Sequence, residues 1–357
     1  MPARLTDWSL ALCVGVAFAT GLAGNNAGRP GLWWVFALHG VAGLALALFL
    51  IGKLRRVLPR LLHARHWDRR TILGLLTTVC VLVTLGSGVW WVAGGTFDAA
   101  GFGLLNWHIA LGLLLVLLVS VHMIARAKPL RRRDMSGRRQ ALRWLGLVAG
   151  SAALWPAQQR LASILPGWRP RRFTGSRAVG DLAGNAFPAT SWVADRPRPL
   201  APADWTLVVG GHVARPFPAT YDDLTHDETM EATLDCTGGF ASTHIWQGMR
   251  VGTLLDRAEV RDDARWVRFR SVTGYRWSLP LAEAYDALLA THIEDEPLSH
   301  DHGAPLRLVA PGRRGFQWVK WIVAVDVLTA PDIAQAIAIH TSSFTPAGRG
   351  EESGLDP

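Results

Sequence analysis

Cys236 is the residue of this chain whose surroundings best suit metal or nucleophile chemistry. It follows a short strand-like run and begins a Gly-rich turn, Cys-Thr-Gly-Gly, so its sulfur could face a cleft. A thiolate in such a turn could ligate a metal or act as a nucleophile. A buried structural cysteine is the ordinary alternative for a lone Cys. Cys13 and Cys80 lie in apolar segments, so we expect no disulfide framework around Cys236.

Residues 302–322 combine basic side chains with two Gly/Pro turns and a short apolar strand. The cations of this stretch are Arg307, Arg313, Arg314 and Lys320. Arginine forms forked hydrogen bonds with phosphate, and turn amides add further donors. A solvated basic loop seldom alternates its cations with residues such as Phe316 and Trp318. The stretch therefore predicts a site for a phosphate-bearing cofactor.

The part of the chain up to residue 155 contains the apolar segments that indicate a membrane protein. Hydrophobic residues make up 50% of the 357-residue chain and the mean hydropathy is +0.18, which is too apolar for an ordinary soluble enzyme. Four segments are each long enough to cross a bilayer: 8–24, 32–52, 71–93 and 104–125. Segment 142–155 is shorter and contains Arg143, so it is a weaker fifth span.

The charges of the connecting segments predict the orientation of these spans. Segments 53–70 and 126–141 carry seven Lys/Arg each, whereas 25–31 carries one and 94–103 carries none. By the positive-inside rule the N-terminus is cytoplasmic, so five spans place the chain after Pro156 outside the cytoplasm.

The distribution of charge excludes nucleic acid as a partner. Residues 157–357 hold 20 Lys/Arg against 24 Asp/Glu, a net charge of −4, so the positive charge that gives the whole chain +9 belongs to the membrane part. The basic loops there would contact anionic membrane lipid. Nucleic-acid binding requires a basic exposed domain, and this composition provides none.

Three histidines lie within the predicted spans: His39 in the second, and His108 and His122 in the fourth. Histidine inside a membrane helix is costly and commonly functional, although hydrogen bonding to a neighbouring helix is an alternative. His108 and His122 are 14 residues apart, so they project from nearly the same face about 21 Å apart along the axis. Two haems stacked across a membrane require that arrangement.

This pattern resembles the four-helix membrane cytochrome b subunits that serve bacterial formate dehydrogenases and hydrogenases. The resemblance implies an outer b haem held by His39 and His108. A second, inner haem would use His122, but the first helix, which supplies the partner in those subunits, has no histidine. His63 or His66 could supply it instead, or both could be solvated loop residues. One b haem is therefore expected, with a second left open.

The basic segment 131–142 precedes the weak fifth span. Ser136 followed by Arg138 and Arg139 resembles a twin-arginine export signal placed internally, although the aromatic residue that usually follows the pair is absent. Simple positive-inside anchoring is the alternative. An exported domain that receives a complex cofactor in the cytoplasm would have to cross the membrane folded.

The C-terminal part is predicted to be an α+β domain with a mixed sheet. Strands are expected at 205–210, 266–272 and 321–328, with a hairpin over 212–218, and helices at 251–258 and 281–289. The polar, Gly-rich residues from about 341 are expected to be disordered. The predicted domains are a transmembrane haem-binding domain (1–130), a basic loop with the fifth span (131–158), an entry segment (159–204), the α+β domain (205–330) and a tail that is expected to be disordered (331–357).

Residues from about 205 to 328 resemble the molybdopterin-binding domain of the sulfite oxidase family. Cys236, Trp246, Gly248 and the block 302–322 carry the resemblance. The ten-residue interval from Cys236 to Trp246 is most similar to the branch of periplasmic methionine-sulfoxide reductase catalytic subunits. The Arg-rich sequence that follows the cysteine in animal and plant sulfite oxidases is absent, which argues against sulfite as the substrate. We also expect no counterpart of the immunoglobulin-like dimerisation domain of those enzymes.

The resemblance implies a role for individual residues of this chain. Cys236 would be the thiolate ligand of molybdenum, and His302 stands where the branch has an asparagine. The expected cofactor contacts are Asn185, Ser271, Thr273, His302, Arg307, Trp318, Val319 and Lys320. Arg250, Tyr275 and Arg276 are candidates for the substrate pocket, although an arginine in a surface hairpin is as good an interpretation.

The sequence as a whole predicts a molybdenum-dependent oxidoreductase in the inner membrane of a bacterium, with its catalytic domain outside the cytoplasm. Molybdopterin would exchange an oxygen atom with a small S-oxide or N-oxide substrate, and b haem would exchange electrons with the quinone pool. One alternative is oxidation of the sulfite-dehydrogenase type with the reverse electron flow. The other is a membrane cytochrome b that carries a non-catalytic pterin-domain relic.

Overall fold

The structure is a computed structural model, which describes residues 1–63, 67–100, 102–131, 134, 137–165, 168–180, 182–191 and 195–342. The chain divides into two compact units, Met1–Arg177 and Ala178–Pro357. The predicted inner haem ligand His66, Ser136 of the export motif and most of the predicted tail lie outside the described residues.

The first unit is built from long helices: α1 (Ala3–Gly24), α2 (Trp33–Leu61), α3 (Arg69–Val92), α4 (Leu104–Arg126) and α5 (Arg138–Ala162). A two-stranded ribbon, β1 (Asp98–Ala99) and β2 (Phe102–Gly103), connects α3 to α4. In the described part of the chain, four segments are long and apolar enough to cross a membrane, namely Ala3–Gly24, Pro30–Pro59, Thr71–Val92 and Leu104–Arg126. These are the four strong spans predicted from the sequence.

Helix α5 packs on the other helices of its unit although it is not one of those four segments. The indole of Trp155 lies against Gly40 of α2, where no Cβ could fit. Trp144 Nε1 donates to Ser9 Oγ of α1 at 2.9 Å. Pro156 lies inside the helix. The prediction of a fifth span therefore stays a prediction, because length and composition do not identify α5 as one.

The second unit contains two sheets, after a two-residue strand β3 (Arg177–Ala178) at the boundary between the units. The first sheet has the strand order β5-β4-β13-β8-β9, in which β4 and β13 are parallel and the other pairs are antiparallel. Its strands are β4 (Thr206–Gly211), β5 (Phe217–Thr220), β8 (Trp266–Ser271), β9 (Arg276–Pro280) and β13 (Ile322–Leu328).

The second sheet carries the residues around Cys236. β7 (Phe240–Arg250) pairs with β6 (Glu228–Asp235) on one side and with β10 (Leu288–Ile293) on the other. β10 also pairs with β11 (Glu296–Pro297) and β12 (Arg307–Val309). All of these pairs are antiparallel. The parallel pair of β4 and β13 makes the first sheet mixed, so the α+β class with a mixed sheet is confirmed.

Three short helices complete the second unit: α6 (Val251–Ala258), α7 (Leu281–Tyr285) and α8 (Gln335–Thr341). Two predictions are wrong here. The helix expected over 281–289 ends at Tyr285, because the apolar run 288–290 is a fully buried central strand, and a short buried run does not distinguish helix from strand. The tail expected over 331–357 contains α8, whose Gln335 side chain accepts hydrogen bonds from the backbone and side chain of Ser278.

Candidate functional site

Cys236 lies in a tight turn that begins directly after β6. Its backbone N–H donates to the Phe240 carbonyl at 2.9 Å, and its carbonyl accepts from Gly239 at 3.0 Å. Gly239 has a φ of +96°, a conformation that residues with a Cβ seldom adopt, which explains the glycine. The sulfur receives the Gly238 N–H at 3.3 Å and lies 3.1 Å from Thr190 Oγ1. The side chain is 7% exposed, so the turn presents a nearly enclosed thiol.

A buried ion pair holds the end of β6 against the turn that contains Gly315. Arg314 Nη1 lies 2.9 Å from Asp235 Oδ1, and both side chains are almost inaccessible to solvent. A Cβ on Gly315 would lie 3.2 Å from Cys236 Cα and 3.3 Å from the Asp235 carbonyl. The close approach of these two turns fixes where the Cys236 sulfur can lie.

Arg307 is the most enclosed cation of the second unit that lacks an acidic partner among the described residues. Its guanidinium lies 5.2 Å from the ring of Trp246 and 5.8 Å from that of Trp318, and Nη1 donates to the His302 carbonyl at 2.9 Å. Burial lowers the pKa of Arg307 to about 10, and the neighbouring Cys236 opposes that shift. Arg307 is therefore charged at neutral pH. Its Nε and the Nε1 of Trp318 are buried donors without an acceptor in the described part of the chain.

Lys320 is a second cation near the thiol. Its Nζ donates to Ser191 Oγ at 2.6 Å and to the carbonyls of Asp301 and Thr190 at 2.8 and 3.0 Å. Burial and, to a smaller extent, Arg307 lower the pKa of Lys320 to about 7, and Asp301, Cys236 and Asp195 oppose that shift. The ammonium thus has three neutral acceptors, and an anion bound beside it would favour its charged form.

His302 is neutral at physiological pH, because burial and the adjacent Arg307 lower its pKa to about 4. Both ring nitrogens are bonded within the protein: Nε2 to the Phe187 carbonyl at 3.0 Å and Nδ1 to Ser299 Oγ at 2.8 Å. Its carbonyl accepts from Arg307, so His302 orients that guanidinium. A direct contact between the imidazole and a cofactor stays a prediction.

The other predicted cofactor contacts are placed by the two sheets. Ser271 ends β8 and pairs with Ile322 of β13, so it lies beside the 318–320 segment. Its Oγ accepts from the backbone N–H and hydroxyl of Thr273, in a turn where both side chains are buried. Val319 is buried, and its carbonyl accepts from Leu308. The Asn185 amide is occupied by Glu296, Pro297 and Ser299.

Several predicted site residues have other partners. Arg250 as a catalytic residue is wrong: it ends β7 at the edge opposite the Cys236 turn, roughly 30 Å along the strand, and pairs with Glu228. The Tyr275 hydroxyl donates to the Phe316 carbonyl at 2.7 Å, and burial raises its pKa far above the usual value, so it holds that turn. Arg276 pairs with Asp332.

The predicted cluster of four cations is also corrected. Arg313 forms a two-pronged ion pair with Glu283, and Arg314 is ion-paired with Asp235, so an acid of the protein already neutralises each of these two cations. Arg307 and Lys320 are the two members of the cluster that interact electrostatically with Cys236 and form no ion pair with an acid in the described residues. The charge pattern of the sequence does not distinguish Arg307 and Lys320 from the two paired arginines, because the acidic partners Glu283 and Asp235 lie in distant parts of the sequence.

Sequence reasoning missed the segment that covers the thiol. Thr190 contacts Cys236 Sγ, and the same residue and Ser191 accept from Lys320. Phe187 packs between the rings of His244 and His302, with centroids 4.5 and 4.0 Å away. The Asn-Ala-Phe-Pro turn that precedes this segment was the one available signal.

The arrangement fits a molybdopterin. Buried donors without acceptors among the described residues, at Arg307 and Trp318, suit its phosphate and its polar ring edge, and the Cys236 thiol can ligate molybdenum. Within the ranges that the structure describes, no group of three or more His, Cys, Asp or Glu could hold a metal ion. Cys236 would be the protein ligand of a molybdenum held at this site, and the cofactor would supply the other sulfur ligands.

In the first unit, the structure brings His39 and His108 together. Their ring centroids are 6.1 Å apart. Two metal–imidazole bonds of about 2 Å each would place the centroids roughly 6 Å apart. His39 Nδ1 bonds to the Ala17 carbonyl at 2.9 Å, and His108 Nδ1 to Ser87 Oγ at 2.9 Å. Such bonds orient an imidazole and leave Nε2 for a metal, so the pair fits a haem iron.

His122 has no such partner among the described residues. It lines a cavity of about 410 Å³ together with residues of α1, α2 and α3, and Gly74 lies against its ring. Its Nδ1 is buried without a hydrogen bond, and no other histidine lines the described walls of the cavity. His63 is exposed, with Nδ1 bonded to the Pro59 carbonyl, as expected for the solvated alternative. An inner haem therefore stays a prediction.

Comparison with known proteins decides the nature of the second unit. Residues 194–335 match the model of the oxidoreductase molybdopterin binding domain family. This part of the chain is a molybdopterin-binding oxidoreductase domain. The match contains the turn of Cys236, both sheets and the Arg307–Lys320 region, but it does not reach Asn185. The predicted family and the predicted enzyme class, a molybdenum oxidoreductase, are confirmed for this domain.

Two curated relatives share the molybdopterin domain. The protein-methionine-sulfoxide reductase catalytic subunit MsrP of Xanthomonas axonopodis pv. citri (strain 306) is 33% identical over 34% of this chain and 44% of its own length. The nitrate reductase [NADPH] of Beauveria bassiana is 28% identical over 38% of this chain and 19% of its own length. The chain thus spans less than half the length of these relatives.

Among solved structures, the sulfane dehydrogenase SoxCD of Paracoccus pantotrophus is 24% identical, with a TM-score of 0.36 over 39% of this chain and 41% of that chain.

Proposed function

We propose that this protein is a membrane-bound molybdenum oxidoreductase that reduces a small S-oxide or N-oxide outside the cytoplasm. The observation that carries the proposal is the nearly enclosed Cys236 thiol beside Arg307 and Lys320, two cations without an acidic partner in the described residues. The 33% identity to a methionine-sulfoxide reductase subunit supports an S-oxide as substrate.

The molybdenum cofactor, when bound, supplies oxygen-atom transfer, in which a sulfoxide takes up two electrons and two protons and yields a sulfide and one water. The residues of this chain bind and orient the cofactor. Cys236 would provide the thiolate, while Arg307 and Lys320 would neutralise the phosphate. The rings of Trp246 and Trp318 exclude water around the Arg307 guanidinium, which strengthens its interaction with an anion.

We further propose that electrons reach the site from membrane quinol through a b haem on His39 and His108. Their ring separation of 6.1 Å and their Nδ1 hydrogen bonds support an iron between the two rings. The oxidation of a quinol releases two electrons and two protons, whereas a haem carries one electron at a time, so the substrate turnover requires two passages through the haem.

The proposed location is the inner membrane of a bacterium, with the molybdopterin domain exported. The four apolar helices and the lysine- and arginine-rich segments 53–70 and 126–141 support this orientation. Arg138 and Arg139 are both at the start of α5, where an export machinery could bind them. Whether they act as a twin-arginine signal is part of the proposal.

An anaerobic redox titration of the purified full chain tests this function. Metal analysis should find molybdenum as well as haem iron, and adding a sulfoxide or N-oxide to the reduced protein should reoxidise the haem. Reduction of the oxidised haem by sulfite would instead identify a sulfite-dehydrogenase type. A protein that contains haem but no molybdenum, when made in a host that synthesises the cofactor, would be a cytochrome b with a pterin-domain relic.

A further inference from the structure

A cluster of arginines lies at the end of the helical unit that contains His39 and His108. Residues 157–180 contain Arg160, Arg169, Arg171, Arg172 and Arg177 but no Asp or Glu. Arg171 and Arg177 are half-buried, and neither has an ion pair with an acid of the described residues. Burial and the neighbouring Arg177 lower the pKa of Arg171 to about 10, so the Arg171 charge persists at neutral pH. Half-buried cations without a counter-ion are costly unless a ligand neutralises them.

The two arginines are anchored to the carboxyl end of α3. Arg171 Nη2 donates to the carbonyls of Trp91 and Val92 at 2.7 and 2.9 Å. Arg177 Nη2 donates to the carbonyls of Trp91 and Gly95 at 2.8 and 2.7 Å, and its guanidinium lies 3.7 Å from the Trp91 ring. Cations at a helix carboxyl end cap its last carbonyls, which explains part of the arrangement.

Capping does not use the whole of either guanidinium. In each residue only Nη2 makes the capping bonds, and Nε is a buried donor without an acceptor among the described residues. One arginine would suffice to cap a helix end. The remaining N–H donors of Arg171 and Arg177 suit two carboxylates or phosphates, which arginine binds in a forked geometry.

The cluster lies one helical turn beyond the paired histidines. Ser87, which bonds to His108 Nδ1, precedes Trp91 by four residues on α3, about 6 Å along the helix. Phe36 precedes His39 by three residues on α2, and its ring lies 5.9 Å from that of Phe173 in the arginine segment. The segment 171–177 therefore contacts α3 one turn beyond Ser87 and α2 about one turn before His39.

We infer that Arg171 and Arg177 bind the two propionate carboxylates of the haem held by His39 and His108. The inference rests on the proposed haem and names the residues that orient it. A haem whose iron lies between the two rings must direct its propionates toward one end of the helices, and only polar partners can accept them there. The arginine cluster lies at that end, at about the distance of one turn, and offers two cations for two carboxylates.

The test compares Arg171→Gln and Arg177→Gln with Arg160→Gln, a control that removes an exposed arginine near the end of α5. Full-length protein is loaded either with natural haem or with haem dimethyl ester, which lacks the carboxylate charges. With natural haem, each variant of the pair should lose haem to apomyoglobin about tenfold faster or more, and its haem midpoint potential should fall. The Arg160→Gln control should match the wild type.

The dimethyl ester separates propionate binding from a general loosening of the helix end. With the ester, wild type and the two variants should lose haem at the same rate, because no carboxylate is left to bind. An equal acceleration with both haems, or no acceleration with either, overturns the inference. Unchanged haem retention together with loss of copurified anionic phospholipid would identify a lipid headgroup site instead. A wild-type protein without b haem would overturn this inference and the proposed haem together, whereas the other outcomes leave that haem in place.

Discussion

At the scale of single residues, the candidate site depends on two cations whose charge is left for a ligand. Arg307 and Lys320 differ in how they would respond to that ligand. Arg307 keeps its proton at all physiological pH values, since its lowered pKa is still about 10. Lys320, with a pKa of about 7, titrates in the working range. The two residues therefore give different experimental signatures of an anionic cofactor.

Removing Arg307 should lower the occupancy of the cofactor. Arg307→Ala deletes a charge-assisted contact of about 1.5–3 kcal/mol, so the affinity should fall roughly tenfold to a hundredfold and the molybdenum content with it. Arg313→Ala is the matched control, because that arginine of the same stretch is paired with Glu283. Molybdenum per chain measured by mass spectrometry checks the difference. Equal losses in both variants would contradict a specific role of Arg307.

Lys320 should make the stability of the cofactor-free protein depend on pH. The folded state holds the Lys320 proton only up to about 7, against an ordinary value of 10.5, so the unfolded chain binds more protons between these limits. The free energy of unfolding should accordingly rise as the pH rises through this window. Bound phosphate should restore the charge and remove this contribution.

Thermal unfolding between pH values of about 6.5 and 10 checks this expectation, with cofactor-free wild type, cofactor-loaded wild type and cofactor-free Lys320→Gln compared. The slope with pH should be largest in the cofactor-free wild type. An identical slope in Lys320→Gln would show that other groups cause it.

At the scale of elements, the site is made where three turns meet: the one after β6, the one after β12 and the covering segment with Thr190. Gly315→Ala tests this convergence, because its Cβ would lie 3.1 Å from Leu234 Cδ1 and 3.2 Å from Cys236 Cα. Displacing them should cost about 1–3 kcal/mol and lower the molybdenum content. Gly210→Ala, whose Cβ would meet its nearest atom at 3.9 Å, should cost little. A smaller loss of thermal stability for Gly315→Ala than for the control would contradict this geometry.

The helices α2 and α4 together make the proposed haem site. His39→Ala and His108→Ala should each abolish the low-spin haem spectrum and the oxidation of quinol, while an artificial dye still drives turnover at molybdenum. His122→Ala should keep that spectrum, because its ring lies in a separate cavity with no described histidine partner. If His122→Ala removes a second haem signal, an inner haem exists and its partner lies among residues such as His66.

Elements with a clear hydrophobic periodicity or a strong turn signal could be predicted from the sequence, whereas short, fully buried strands could not. The predicted helix 251–258 is confirmed as α6, and the four strong spans correspond to α1 to α4. The apolar run of β10 was mistaken for the end of a helix because its neighbours β7 and β12 decide its conformation. The partners of Arg313 and Arg314 were unforeseen for the same reason, since Glu283 and Asp235 approach only in the folded chain.

At the scale of the whole molecule, a family domain explains the second unit, and the charge pattern alone predicts how the chain crosses the membrane. A reporter fused after Leu328 should be active only outside the cytoplasm, given the seven Lys/Arg in each of segments 53–70 and 126–141. Changing Arg138 and Arg139 to Lys keeps the charge and should retain the domain inside if the pair is an export signal. Continued export of that variant would mean that the pair only anchors the helix.

The central claim is that Cys236 ligates molybdenum, and X-ray absorption at the molybdenum edge of the full-length protein tests it most directly. Sulfur is a softer and more polarizable ligand than a hydroxyl. Cys236→Ser should therefore keep the cofactor bound but change the reduction potential of the molybdenum and reduce turnover by orders of magnitude. The account predicts one sulfur ligand fewer at molybdenum in Cys236→Ser than in the wild type, at similar molybdenum content. An unchanged number of sulfur ligands together with normal turnover would contradict it.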